Sequence, residues 1–130
     1  MEFLCTICCA EKRRDPQALA ARERYLSPRI AQIMAESETT GRPLIILSGK
    51  FGLIDADEPI PWYDELLERS SVAALVPVVA EQLRKREATR LLFVARQRTA
   101  PGWGPYFDLI EQACEQAGVV LSCRGLPGAV

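Results

Sequence analysis

The segment PLIILSGKFGLIDADEPIPWYD, residues 43–64, decides how this chain is interpreted. Its apolar run at residues 44–47 predicts a buried strand, and Ser48 and Gly49 end that strand. A long polar segment with several prolines follows. Open α/β sheets bind their ligands where buried strands run out into loops of this kind. We therefore expect the functional site to lie beside this segment.

Composition limits the classes of protein to which the chain can belong. Its 130 residues, 48% hydrophobic and 25% charged, predict one globular domain over residues 1–130. The net charge of -1 argues against a generally basic nucleic-acid-binding protein. Neither a signal peptide nor a run of about 20 apolar residues is evident, so we expect a cytoplasmic protein with reduced thiols and no membrane contact. Histidine, the commonest general base, is absent.

Apolar runs and helical spacing predict the order of secondary-structure elements. Strands are expected at residues 3–9, 44–47, 90–95 and 119–123. Helices are expected at 15–24, 28–40, 71–86 and 105–117, with a helical turn at 63–68 and a kink or restart at Pro77. This order predicts an α/β fold of three layers: a mostly parallel four-stranded sheet with helices on both faces, similar to a Rossmann fold.

Two cysteines and a basic turn follow the first predicted strand. Backbone amides with Lys12 or Arg13 would form an anion site there, and Cys9 would be a nucleophile. The alternative interpretation is that the cysteines fill the core and the basic residues are solvated. The CxxCC spacing of Cys5, Cys8 and Cys9 resembles a zinc motif, but a metal site is not expected. On a strand Cys5 and Cys9 face one side and Cys8 the other, and histidine is absent.

The loop after residue 47 leaves two interpretations open. Asp57 and Glu58 could act as a general base or satisfy turn amides, and Tyr63 could stack on a base or fix the loop to the sheet. The glycine-containing run at 48–52 lacks the spacing of a phosphate-binding P-loop. Without histidine, Ser48 has no triad partner, and a serine–lysine pair remains a formal alternative.

The stretch LSGKFGLIDADEPIPWYD, residues 47–64, resembles a pattern shared by the YaaA-like (peroxide-stress) family and a smaller bacterial and phage domain family of unknown function. ARERYLSP, residues 21–28, and RGLPG, residues 124–128, resemble further elements of the smaller family. The resemblance implies a link to nucleic acids, since YaaA-like proteins are associated with DNA binding and related domains occur in archaeosine synthase. Phe51 stands where these relatives carry histidine, which favours recognition over catalysis.

These observations lead to one expected function and two alternatives. We expect a nucleotide or nucleobase, or nucleic acid, at the carboxyl ends of the first two predicted strands, with no cofactor and no metal. The candidate catalytic residues are Cys9, Asp57 and Tyr63. The candidate ligand-binding residues are Lys12, Arg22, Tyr25, Ser27, Ser48, Gly49, Lys50, Gly52, Glu58 and Tyr63.

The first alternative is a non-enzymatic module for DNA binding and oxidative-stress protection. Its basic face would comprise Arg84, Lys85, Arg86, Arg90, Arg96 and Arg98. The second alternative is a redox sensor based on Cys8 or Cys9.

Overall fold

Residues 1–126, the part of the chain that the computed structural model describes, alternate between strands and helices. The elements are β1 (Glu2–Ile7), β2 (Leu19–Ala20), α1 (Ala21–Arg24), α2 (Pro28–Thr40), β3 (Leu44–Ser48), β4 (Gly52–Asp55), β5 (Pro59–Ile60), α3 (Arg69–Lys85), β6 (Arg90–Ala95), α4 (Gly104–Ala117) and β7 (Val120–Gly125). The tail element predicted at residues 124–128 lies partly outside the described residues.

The main sheet has five strands in the order β4-β3-β1-β6-β7. The apolar strands β3, β1, β6 and β7 are parallel to one another. β4 pairs antiparallel with β3, and β2 and β5 form a separate antiparallel pair. The α/β class is therefore confirmed, whereas the sheet is mixed and has one strand more than the four predicted.

Helices pack on both faces of this sheet. The Thr6 hydroxyl of β1 accepts a hydrogen bond from Arg29 of α2 at 2.7 Å, so α2 covers the face to which Thr6 points. Cys5 points to the opposite face, as does its register partner Phe93. The Phe93 ring packs against Phe107 of α4 with 5.1 Å between centroids. α3 packs beside α4, so these two helices share the second face.

The helix predicted at residues 15–24 is wrong. Only the four-residue α1 forms, and the loop between β1 and β2 (residues 8–18, the β1 loop) wraps around the buried Arg24 instead. The Arg24 guanidinium donates to the carbonyl oxygens of Arg13, Asp15 and Gln17, which consequently accept no helical hydrogen bonds. β1 also ends at Ile7, two residues earlier than predicted, because the carbonyls of Ile7 and Cys8 accept hydrogen bonds from Arg29 of α2.

Residues 61–68, the cover segment, cross the carboxyl ends of β3 and β1 without forming helix or strand, so the predicted helical turn there is wrong. Tyr63 is hydrogen-bonded to the Tyr25 hydroxyl, and the Leu67 amide donates to the Tyr106 hydroxyl at 3.1 Å. Both bonds hold the segment extended over the sheet edge. α3 then begins at Arg69 and continues through position 77 without a restart.

Candidate functional site

Lys12 lies in the β1 loop, opposite Tyr25 in an isolated antiparallel bridge. This pairing turns the lysine under the cover segment, where only 7% of it is exposed. Its Nζ lies 4.5 Å from the centre of the Tyr63 ring and 5.8 Å from that of Tyr25. Within residues 1–126, the Lys12 Nζ donates one hydrogen bond, to the Ala10 carbonyl at 3.5 Å. An ammonium group can donate three hydrogen bonds, so most of its capacity is unused.

Arg24, the last residue of α1, is a second buried cation beside this loop, and it is fully inaccessible to solvent. Besides the three carbonyls of the β1 loop, it donates to the Ile60 carbonyl of β5 at 3.1 Å. The Arg24 Nε is also buried, and it has no hydrogen-bond partner within residues 1–126. The guanidinium thus joins the β1 loop to β5, and its role is structural.

Arg29 is the third cation, and it reaches from α2 to the end of β1. It donates to the carbonyl oxygens of Ile7 at 2.7 Å and Cys8 at 3.2 Å. Its guanidinium also lies 5.1 Å from the centre of the Trp103 ring. Burial lowers the pKa of Arg29, and the nearby charge of Arg96 acts in the same direction.

These three cations share one property. Across residues 1–126, the ion pairs between basic side chains and carboxylates include neither Lys12, Arg24 nor Arg29. Burial of a positive charge without a counter-ion is unfavourable by several kcal/mol. The β1 loop and the helices beside it therefore concentrate these three positive charges in a place of low dielectric.

Tyr63, a candidate catalytic and ligand-binding residue, is only 3% exposed. Its ring packs edge-on against Phe51, with 5.1 Å between centroids, and its hydroxyl meets that of Tyr25. Burial raises the pKa of both phenols, so both remain neutral. Of the two interpretations left open for Tyr63, this geometry favours the one in which it fixes the loop to the sheet.

The two cysteines after β1 lie in different surroundings. Cys8 is buried, with Sγ 3.5 Å from the Tyr106 hydroxyl, and Cys9 is half-buried, with its thiol directed at the Glu11 carbonyl at 3.0 Å. Burial raises the pKa of the Cys9 thiol. A raised pKa favours the thiol over the nucleophilic thiolate. The roles of Cys9 as a nucleophile and of Cys8 or Cys9 as a peroxide sensor stay predictions.

The candidate residues between β3 and β4 build the turn itself. The Ser48 hydroxyl accepts hydrogen bonds from the amides of Lys50 and Phe51 at 3.0 and 3.1 Å. A side chain at Gly49 would overlap the backbone of the cover segment at Leu67, so glycine is needed there for packing. Gly52 has a φ of 72°, in the left-handed region that favours glycine. Lys50 is exposed.

Arg22 does not join Lys12 in an anion site. It is exposed and paired with Asp57 at 3.1 Å and with Glu38 at 3.3 Å. The remaining candidates also have local roles: the Glu58 carboxylate accepts from the Asp55 amide at 3.3 Å, and the Ser27 hydroxyl caps α2.

Two clefts open on either side of Leu26, and they separate Lys12 from Arg22. The smaller, of about 310 Å³, is lined by Ala10, Glu11, Lys12, Arg14, Leu26, Trp62 and Asp64, and we call it the Lys12 cleft. The larger, of about 570 Å³, includes Arg22, Tyr25, Ser27 and Leu26 in its lining. The single site expected at the ends of β1 and β3 is therefore divided between two clefts. Of the candidate site residues predicted from the sequence, only Lys12 lines the smaller cleft.

Sequence reasoning missed Arg14, Trp62 and Asp64 as lining residues of this cleft. Trp62 was detectable, because an aromatic residue directly after Pro61 in a polar loop is unusual. The burial of Arg24 has no sequence signal, since arginines that reach backbone carbonyls look like solvated ones.

The cations of the basic face expected for DNA binding lie in different surroundings. Arg90 begins β6 and Arg96 follows its last residue, which separates them by about 20 Å at the usual rise of a strand. Several of the other cations are already neutralised, since Arg84 pairs with Glu81, Arg86 with Asp55 and Arg98 with Asp108. The positive charge of these three arginines is therefore balanced, and binding of DNA by this face stays a prediction.

Two searches of the described residues give negative findings. No group of three or more cysteine, aspartate or glutamate side chains within residues 1–126 is arranged to hold a metal ion. None of the helices in that part of the chain has the length and apolar character to cross a membrane.

Comparison with known proteins places the chain in a family without giving it a function. A search of curated proteins and a search of solved structures each find no match. A family model does match, over residues 4–120, and this range includes most of β1, the β1 loop, the cover segment and the residues that line the Lys12 cleft. The chain therefore belongs to this family, described as a family of unknown function (DUF6884).

Proposed function

We propose that the protein binds a nucleotide, with the negative charge of its phosphate at Lys12. The observation that supports this most strongly is the burial of the Lys12 ammonium without a carboxylate partner among residues 1–126. An anion that entered the cleft would accept the unused hydrogen bonds of Nζ and neutralise its charge. Binding therefore offsets the unfavourable free energy of burying an unpaired ammonium group.

The Lys12 cleft suits a ligand of this size. Its volume of about 310 Å³ lies at the lower end of the range for small-molecule sites. Lys12 and Arg14 contribute positive charge, while the carboxylates of Glu11 and Asp64 contribute negative charge and hydrogen-bond acceptors to the same cleft. A nucleotide carries both complementary chemistries, because its phosphate is anionic and its base presents N–H donors.

The nucleotide class itself comes from the resemblance to YaaA-like proteins and to a domain of archaeosine synthase, which stays a prediction. The similarity to a Rossmann fold also stays a prediction. The family to which the chain belongs adds no activity. The proposal is limited to binding, because Cys9 has a raised pKa, Tyr63 is buried and neutral, and Asp57 is paired with Arg22.

Thermal shift with a panel of nucleotides, nucleobases and duplex DNA tests the proposal. We expect at least one mononucleotide to raise the melting temperature of the wild type in a concentration-dependent way, because a ligand specific for the folded state stabilises it by mass action. Lys12→Ala should remove this shift. Lys50→Ala is the matched control, since Lys50 is exposed outside the cleft, and it should keep the shift.

Two outcomes would count against the proposal. If no mononucleotide or nucleobase shifts the wild type, the cleft is not a nucleotide site. If only duplex DNA stabilises the protein, with strong salt dependence, the DNA-binding alternative replaces it.

A further inference from the structure

Trp62 and Tyr63 are neighbours in the cover segment, yet their environments are opposite. Tyr63 points inward and is 3% exposed, whereas Trp62 is 39% exposed. Successive side chains of an extended segment point in opposite directions. The indole is thus presented at the wall of the Lys12 cleft.

One face of this indole is covered by a planar cation. The guanidinium carbon of Arg14 lies 5.0 Å from the centre of the Trp62 ring. Arg14 belongs to the irregular β1 loop and has no carboxylate partner among the ion pairs of residues 1–126, so little else fixes its position. A guanidinium stacks on an aromatic face in much the same way as a planar heterocycle does.

We infer that Trp62 is the surface on which an aromatic ring of the ligand stacks, with Arg14 moving aside or covering the ring from its outer face. This inference rests on the proposed function, because it takes Lys12 as the group that holds the anion. Lys12 and Trp62 line the same cleft of about 310 Å³, so one ligand can contact both. The ligand class is then a nucleotide, and a phosphorylated sugar without a base is a poor ligand.

Calorimetry tests this assignment. It compares the affinities of adenosine, guanosine, cytidine and uridine 5′-monophosphates with the affinity of ribose 5-phosphate. Stacking on an aromatic side chain contributes enough to strengthen binding roughly tenfold or more. We expect the best nucleotide to bind the wild type at least about tenfold more tightly than ribose 5-phosphate. Trp62→Ala should reduce this preference to about twofold or less while leaving the affinity for ribose 5-phosphate unchanged.

Two variants serve as controls. Trp62→Phe keeps a stacking face and should keep most of the preference, whereas Lys12→Ala should weaken the binding of nucleotides and ribose 5-phosphate alike. Tryptophan fluorescence gives an independent signal, because the second tryptophan, Trp103, is buried beneath Arg29. The binding nucleotide should quench the emission of the wild type, and Trp62→Phe should lose that quenching.

The possible results separate the two proposals. If ribose 5-phosphate binds as tightly as every nucleotide, or if Trp62→Ala keeps the preference for nucleotides, the stacking role is wrong while the anion site at Lys12 stands. If neither nucleotides nor ribose 5-phosphate bind the wild type, the proposed function fails, and the stacking role fails with it.

Discussion

The arginines of the surface and the cations of the β1 loop differ in how their charge is balanced. On the surface, Arg22, Arg98 and Arg124 each pair with at least one carboxylate. In the loop region, Lys12 and Arg24 are buried without any such partner in the described chain. Carboxylates are therefore found where water already screens charge and a pair contributes little, and they are missing where the dielectric is low.

The loop cations themselves fall into two kinds. Arg24 directs four hydrogen bonds at backbone carbonyls and so serves the fold. Lys12 makes one long contact, to the carbonyl of Ala10, and lines a cleft. A buried charge therefore serves the structure when its hydrogen-bond donors are used, and it is available for a ligand when they are not.

The largest expected effect is at Arg24. Replacing it with alanine should lower the free energy of unfolding by about 3 kcal/mol or more, because four carbonyl oxygens lose their donor and the β1 loop loses its link to β5. Urea denaturation measures this change. Arg22→Ala, which breaks exposed ion pairs two residues away, is the matched control and should cost less than about 1 kcal/mol. Equal losses in the two variants would remove the distinction between buried and exposed cations.

A smaller effect is expected at the pair of phenols above Lys12. Tyr63→Phe should cost about 1 kcal/mol, because the Tyr25 hydroxyl is left buried without its partner. Tyr25→Phe should cost a similar amount, and the double variant should cost clearly less than the sum of the two. Additive losses in denaturation experiments would show that the two hydroxyls do not stabilise each other.

The smallest effect concerns the pH dependence of a surface pair. Arg124 donates to both carboxylate oxygens of Glu36, at 2.6 and 2.9 Å, and lowers the pKa of Glu36 from its ordinary value of 4.5. A lowered folded-state pKa means that the stabilisation is complete above pH 4.5 and is lost as the pH falls through the folded-state value.

Glu36→Gln tests this pH dependence. Between about pH 5 and pH 3 the wild type should lose slightly more stability than the variant, by less than about 1 kcal/mol because the pair is partly exposed. Parallel pH profiles from urea denaturation would contradict the role of the pair.

The elements that are continuous in sequence were predictable, and those fixed by distant contacts were not. The apolar strands at β3 and β6 and the capped helix α2 follow from local pattern. β4 was missed because its four residues pair with β3 through a glycine turn that a distant side chain supports. The Gln82 side chain accepts a hydrogen bond from the Leu53 amide at 2.7 Å. The helix expected at 15–24 fails because Arg24 takes carbonyls that a helix would use.

The candidate site shows the same division. Lys12 was predicted from its place after the first strand, and the structure keeps it in a cleft. Arg22 was predicted to share its ligand, but neighbouring carboxylates that are distant in sequence neutralise it. Charge balance depends on which side chains meet in space, so a linear pattern could identify basic residues without showing which of them remain unpaired.

The most direct test of the account is the stability of the wild type and of Lys12→Met as phosphate is added. Methionine keeps the aliphatic contacts with the tyrosine rings and removes the charge. We expect Lys12→Met to be at least as stable as the wild type without phosphate, and added phosphate to stabilise the wild type more than Lys12→Met. Lys50→Met should follow the wild type, which corrects for the general effect of phosphate on proteins. Identical phosphate dependence in wild type and Lys12→Met would contradict an anion site at Lys12.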